Sequence, residues 1–202
     1  MPHIDGVNVP EQFVRVRVNA PTLAATKAIT GATNATPIVI TSAGHGYSNG
    51  DLILVAAVEG NTAANGWRLV ANKTVNDYEL THLDGTNVAG NGAYTVNGTS
   101  AKASSTGGIV SSRDIWLVKT RLNNTTGGAI TFNLTDNLDG GTTPTGPNYR
   151  YQAFSVAANT APSPNPPEGY RPPEKCEEGA VFYASATGLE VTVEGWRKPN
   201  FS

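Results

Sequence analysis

Valine alternates with arginine in Phe13-Val14-Arg15-Val16-Arg17-Val18. A period of two places the valines on one face of a strand and the arginines on the other. The valines then face a core, and Arg15 and Arg17 face water or a neighbour. A β-branched run follows, Pro37-Ile38-Val39-Ile40-Thr41, and stops at Ser42-Ala43-Gly44-His45-Gly46, where two glycines permit a tight turn. Asn49-Gly50-Asp51 marks the next turn, before the apolar run Leu52-Ile53-Leu54-Val55. Asn65-Gly66 precedes Trp67-Arg68-Leu69-Val70-Ala71. Asn76-Asp77 leads into Tyr78-Glu79-Leu80-Thr81, which Asp84-Gly85 ends. Ala93-Tyr94-Thr95-Val96 is expected to close the set. Short strands with turn signals about every 8–12 residues predict a small barrel or sandwich. Helical periodicity is nearly absent, and its best candidate is the short stretch 21–29.

Residues 98–112 are poor in large side chains and rich in Ser, Thr, Gly and Ala, which predicts a linker. The strand pattern then resumes. Residues 114–120 read as a long strand with both faces partly buried, and Gly127-Gly128 makes a turn. Ile130, Phe132 and Leu134 alternate with Thr131, Asn133 and Thr135, as in a half-buried strand. Residues 150–156 form another. The last pair covers 181–184 and 189–194, turning at Thr187-Gly188. In the final strand Leu189, Val191 and Val193 share one face, and Glu190, Thr192 and Glu194 the other. A slip of one residue would bury two carboxylates, so the register is well fixed. The second half is therefore expected to be a small antiparallel β-sandwich.

The predicted fold class is all-β, with two small antiparallel domains and extended arms. An N-terminal arm and first strand occupy 1–30, a β module 31–97, a linker 98–112 and the sandwich 113–202. Within the sandwich, Pro162, Pro164, Pro166, Pro167, Pro172 and Pro173 crowd a loop at 161–173. Proline at that density removes ladder donors and stiffens the backbone into extended geometry. The loop is expected to be a rigid surface feature or an arm lying on a neighbouring subunit.

Composition changes this picture in one respect. Charged residues are 15% of the 202, against about 25% in an average soluble domain. Gly, Thr, Asn, Ser and Ala replace them, and such residues suit turns and flat surfaces that other subunits cover. The net charge of -2, with no run of Lys or Arg, argues against electrostatic capture of nucleic acid. No apolar stretch approaches the ~20 residues that span a bilayer, and the first residues do not read as a signal peptide. A soluble protein made in a cytoplasm, without membrane contact, is expected.

Candidate chemistry is sparse. Cys176 is the sole cysteine, so an intrachain disulfide is excluded and no cysteine cluster exists for zinc. His3, His45 and His82 lack metal-ligand spacing. His45 sits between two glycines and reads better as a packing or capping residue of a tight turn than as a base. Asp136-Asn137-Leu138-Asp139-Gly140 lacks the alternating ligands and closing glutamate of a calcium loop, and reads as a β-turn. Glu174, Glu177 and Glu178 cluster in sequence, which does not set two carboxylates across a cleft. There is no Gly-x-Ser-x-Gly elbow, HExxH or P-loop. No catalytic residue, cofactor or metal is expected.

The residues also carry a likeness. The stretch 32–51, with Thr41-Ser42-Ala43-Gly44-His45-Gly46-Tyr47-Ser48-Asn49-Gly50-Asp51, resembles a module common in tailed-phage virion proteins. Asn65-Gly66-Trp67 and Asp77-Tyr78-Glu79-Leu80 continue it. The module is likened to the first catalytic-cysteine half-domain (FCCH) of the ubiquitin-activating enzyme, as a fold only, because Cys176 lies far outside it and no nucleotide-binding glycine motif is present. The resemblance covers about a third of the chain. The second half is similar to small β-sandwich domains of phage head and tail accessory proteins.

What the resemblance implies is a non-enzymatic structural component of a bacteriophage virion, assembled in the host cytoplasm. It would bind other virion proteins as a capsid decoration or cement protein on the head surface, and would form a homo-oligomer in the particle. A tail, collar or fibre-base protein, with a receptor- or carbohydrate-binding role, is the alternative. Subunit contacts are expected at Tyr170, Arg171, Pro166 and Pro167 in the proline-rich arm, and at Arg15 and Arg17 on the first strand. Tyr and Arg favour interface centres.

Overall fold

The structure, a computed structural model, describes residues 12–112, 115–136, 148–158, 163–165, 174–176 and 179–197. The strands, in chain order, are β1 (Gln12–Asn19), β2 (Lys27–Ala28), β3 (Gly31–Ala32), β4 (Val39–Thr41), β5 (Leu52–Ala56), β6 (Gly66–Ala71), β7 (Asp77–Thr81) and β8 (Thr99–Lys102). Then come β9 (Ile109–Ser111), β10 (Ile115–Asn124), β11 (Ile130–Asp136), β12 (Asn148–Val156), β13 (Ser163–Asn165), β14 (Glu174–Cys176), β15 (Ala180–Ala184) and β16 (Leu189–Arg197). Among the described residues there is no α-helix, so the protein is all-β. The stretch 21–29 holds a β-bridge at Leu23 and the short strand β2 rather than a helix, which corrects the helical expectation.

Two sheets build the sandwich. One runs β1-β16-β10-β13, with β14 also on β10, and the other β12-β11-β15-β9. The sequence alternation places Val18, Val191, Val193, Phe132, Leu134 and Phe182 in one core between them. The register sets Val16 opposite Val193 and Val18 opposite Val191.

A seven-stranded antiparallel sheet, β2-β8-β5-β6-β7-β4-β3, curls into a half-barrel. Ile38, Ile40, Ile53, Val55, Tyr78 and Leu80 fill its hollow side. The run 93–96 is irregular, not the strand expected to close this set. Its backbone is tied instead to the loop after β5, through Thr95 N–H to the Glu59 carbonyl at 3.0 Å and Glu59 N–H to the Val96 carbonyl at 3.2 Å. β8 takes the closing place beside β5.

The chain order gives a discontinuous sandwich. β1 pairs with the last strand, so the half-barrel β2–β8 is inserted between β1 and the remaining strands of the sandwich. Its entry and exit run side by side. Leu23 bridges Ala103, Ala24 N–H donates to the Lys102 carbonyl at 2.8 Å, and Ser104 N–H to the Thr22 carbonyl at 2.8 Å. Adjacent ends are what an inserted unit requires.

This layout differs from the sequence-based boundaries. The 1–30 segment is shared, with β1 in the sandwich and β2 in the half-barrel. The 98–112 segment holds β8 and β9, one in each unit. Its residues are small because they pack closely. Ser100, Ala101 and Ala103 are buried, and a Cβ on Gly108 would lie 2.3 Å from the Phe182 carbonyl and 2.5 Å from Pro21.

A third apolar cluster joins the units. Leu52, Leu54 and Trp67 on the outer side of β5 and β6 pack with Leu83, Ala103 and Val181, flanked by Ile109 and Tyr183. Trp67 meets the Tyr183 ring edge-on at 5.6 Å between centroids. Burial on both faces explains why β5 reads Leu-Ile-Leu-Val without alternation.

Candidate functional site

The first place to examine is the Gly44-His45-Gly46 turn. Gly44 and Gly46 have φ of +59° and +73°, a left-handed backbone that glycine adopts without a Cβ penalty. A Cβ at either would meet nothing within 4 Å, so conformation rather than space demands glycine. The turn aims His45 inward, where it is 3% exposed. Its Nδ1 accepts the Tyr47 N–H at 3.0 Å, which leaves the ring proton on Nε2. Nε2 is buried without a hydrogen-bond partner. The ring packs on Tyr47 at 5.0 Å and Tyr78 at 4.9 Å.

The two phenols converge on Ser100. Tyr47 Oη lies 2.9 Å from Ser100 Oγ and donates to the Ser100 carbonyl at 3.1 Å. Tyr78 Oη donates to the same Oγ at 3.1 Å. Burial pushes both phenols above their ordinary range, against the opposing pull of the Ser100 bonds. Asp51, the last residue of the signature, accepts from Ser48 N–H at 2.7 Å and pairs with Lys102 Nζ at 2.7 Å. Tyr47 and Asp51 thus tie the turn to β8, and the His45 ring packs on Tyr78 of β7. A base needs hydrogen-bond reach to a substrate, and His45 is enclosed by rings.

The second place is the outer face of the β1 sheet. Arg15 and Arg17 stand there with side chains 61% and 70% exposed. Arg15 Nε lies 3.5 Å from Glu194 Oε1, and Arg17 is hydrogen-bonded to Glu190. That bond and the carboxylate charge raise the Arg17 guanidinium above its already high value. At the end of the ladder Phe13, 49% exposed, meets Trp196 edge-on at 5.0 Å. The arginines therefore face water, already paired across strands. Exposed pairs of this kind contribute little stability.

Sequence reasoning found Arg15 and Arg17 but missed Glu190, Glu194, Phe13 and Trp196 as their companions. The alternating glutamates were visible, whereas the pairing of the first strand with the last is long-range and has no local signal. Tyr170, Arg171, Pro166 and Pro167 lie outside the described residues. Trp67 and Tyr78 are fully buried core residues. Among the described residues no group of three or more His, Cys, Asp or Glu is placed to hold a metal ion.

A scan against protein-family models finds no match to this chain, and a search of curated proteins finds none.

Proposed function

We propose that this chain is a non-enzymatic structural component of a bacteriophage particle that acts by binding neighbouring subunits, as a capsid decoration or cement protein on the head surface. The observation that carries the reading is the use made of the phage-like signature. Gly44, His45, Gly46, Tyr47 and Asp51 are spent on a turn and on packing it against β7 and β8. Residues consumed by packing support a scaffold rather than a reaction centre. The rigid join through Trp67 suits a part that must hold two β units in one orientation. The test is quantitative mass spectrometry of purified particles. Many copies per particle, released with the capsid shell, support the reading, and absence from particles removes it.

A tail, collar or fibre-base position with sugar binding is the second reading. The half-exposed Phe13 beside Trp196 favours it, because aromatic faces on one sheet surface stack on sugars. Glycan-array binding that disappears in Trp196→Ala would select it.

A further inference from the structure

We propose that the outer edge of β1 is a docking edge for an extended acidic strand of a different protein, which joins the five-stranded sheet by backbone hydrogen bonds. This deepens the neighbour-binding reading and names the chemistry of the neighbour.

Among the described strands β1 ends its sheet, with β16 as its ladder partner. Ala20 N–H donates to the Leu189 carbonyl at 3.0 Å, which makes Ala20 and Leu189 a hydrogen-bonded pair. In an antiparallel ladder such pairs alternate. Val18 and Val16 therefore bond inward to β16, and Phe13, Arg15 and Arg17 turn their N–H and C=O groups to the open side. Among the described residues none of those groups has a partner. β9, at the edge of the facing sheet, also runs close to β1, and Gly107 lies near the Asn19 carbonyl.

An open strand edge is a template for pairing, and proteins usually blunt it by shortness, proline, bulges or charge. β1 is 8 residues long, without proline, and its register to β16 is unbroken. Charge is its one protection. Antiparallel self-pairing about Val16 would set Arg15 opposite Arg17, and like charges directly opposite are unfavourable. The arginines thus exclude a second β1 and admit an acidic strand.

The sign pattern across the sheet agrees. β16 brings Glu194 and Glu190 to the arginines of β1, and on its other side the register places Lys119 opposite Glu194 and Arg121 opposite Thr192. Basic, acidic and basic strands succeed one another, so the next in order is acidic. Among the described edge strands of this chain, β9, β12, β13, β2 and β3 carry no carboxylate, and β14 carries Glu174 alone. No described edge strand of this chain therefore offers the acidic alternation that the arginines select. Phe13 and Trp196 offer an aromatic anchor at one end.

The test uses the full chain and two blocked peptides, one alternating threonine with glutamate and one alternating threonine with lysine. The acidic peptide is expected to bind at least about tenfold more tightly and to slow amide exchange at Phe13, Arg15 and Arg17. Arg15→Pro removes one outward N–H without touching the bonds to β16, and should weaken binding about tenfold. The double change Arg15→Gln, Arg17→Gln should bring the two peptides to similar affinity, and it serves where the proline variant does not fold. Equal binding of the two peptides, no binding, or acidic binding that survives both variants overturns the proposal. A chain present in particles whose edge ignores the acidic peptide sinks this proposal alone. A chain absent from particles whose edge binds it removes the virion reading and leaves the docking edge.

Discussion

At the scale of single residues, the molecule spends its most distinctive side chains on packing. His45, Tyr47 and Tyr78 form an aromatic cluster closed by Ser100. Tyr78 has its phenol pushed upward by burial. The folded state thus keeps Tyr78 neutral where the unfolded chain ionises, near pH ~10. Its stabilising contribution is whole below that pH and falls as pH rises beyond it. Melting temperatures measured from pH 8 to 11 should therefore drop more steeply above about pH 10 for the wild type than for Tyr78→Phe. At pH 8 the same variant should lose about 1 kcal/mol, the net worth of one hydrogen bond. Gly44→Ala should cost about 1–2 kcal/mol by denaturant unfolding, because alanine at φ +59° is strained though nothing obstructs it. No loss in that variant would remove the conformational account of the turn.

At the scale of elements, the strand pattern was legible wherever one face is dry. Val16 and Val18, Ile130 to Leu134, and Leu189 to Val193 all alternate as half-buried strands do, and the structure buries the faces expected. The Gly44–Gly46 turn was equally legible, since two glycines around one residue signal an unusual backbone. What misled was smallness. Serine, alanine and glycine at 98–112 read as a linker, whereas Ser100 meets two phenols and Gly108 lets two backbones touch. Local composition does not distinguish small residues that move from small residues that pack. The β1–β16 pairing was hidden for another reason, because its partners lie at opposite ends of the sequence. The proline-rich arm also gains a sharper test. Ser163–Asn165 is β13 and pairs with β10, so a deletion must spare it. Removing residues 166–173 should lower incorporation into particles more than it lowers the melting temperature, and equal incorporation would refute an arm at Tyr170 and Arg171.

At the scale of the whole molecule, the half-barrel is inserted into the sandwich and fastened by its own outer face. The unbroken apolar run of β5 was the sequence sign of this, since a strand wet on one face would alternate. Trp67 is the centre of the join. The wild type should unfold in one calorimetric transition. Trp67→Ala should cost about 3–5 kcal/mol and separate the transition into two, and a single unshifted transition would mean the units are not coupled through this cluster. Two β units joined through a shared apolar cluster, with the arginines of β1 on an outer face, are suited to being held between neighbours. The most direct measurement is the protein inventory of purified phage particles. Many copies of this chain bound to the head shell are the predicted result, and particles complete without it would contradict the account.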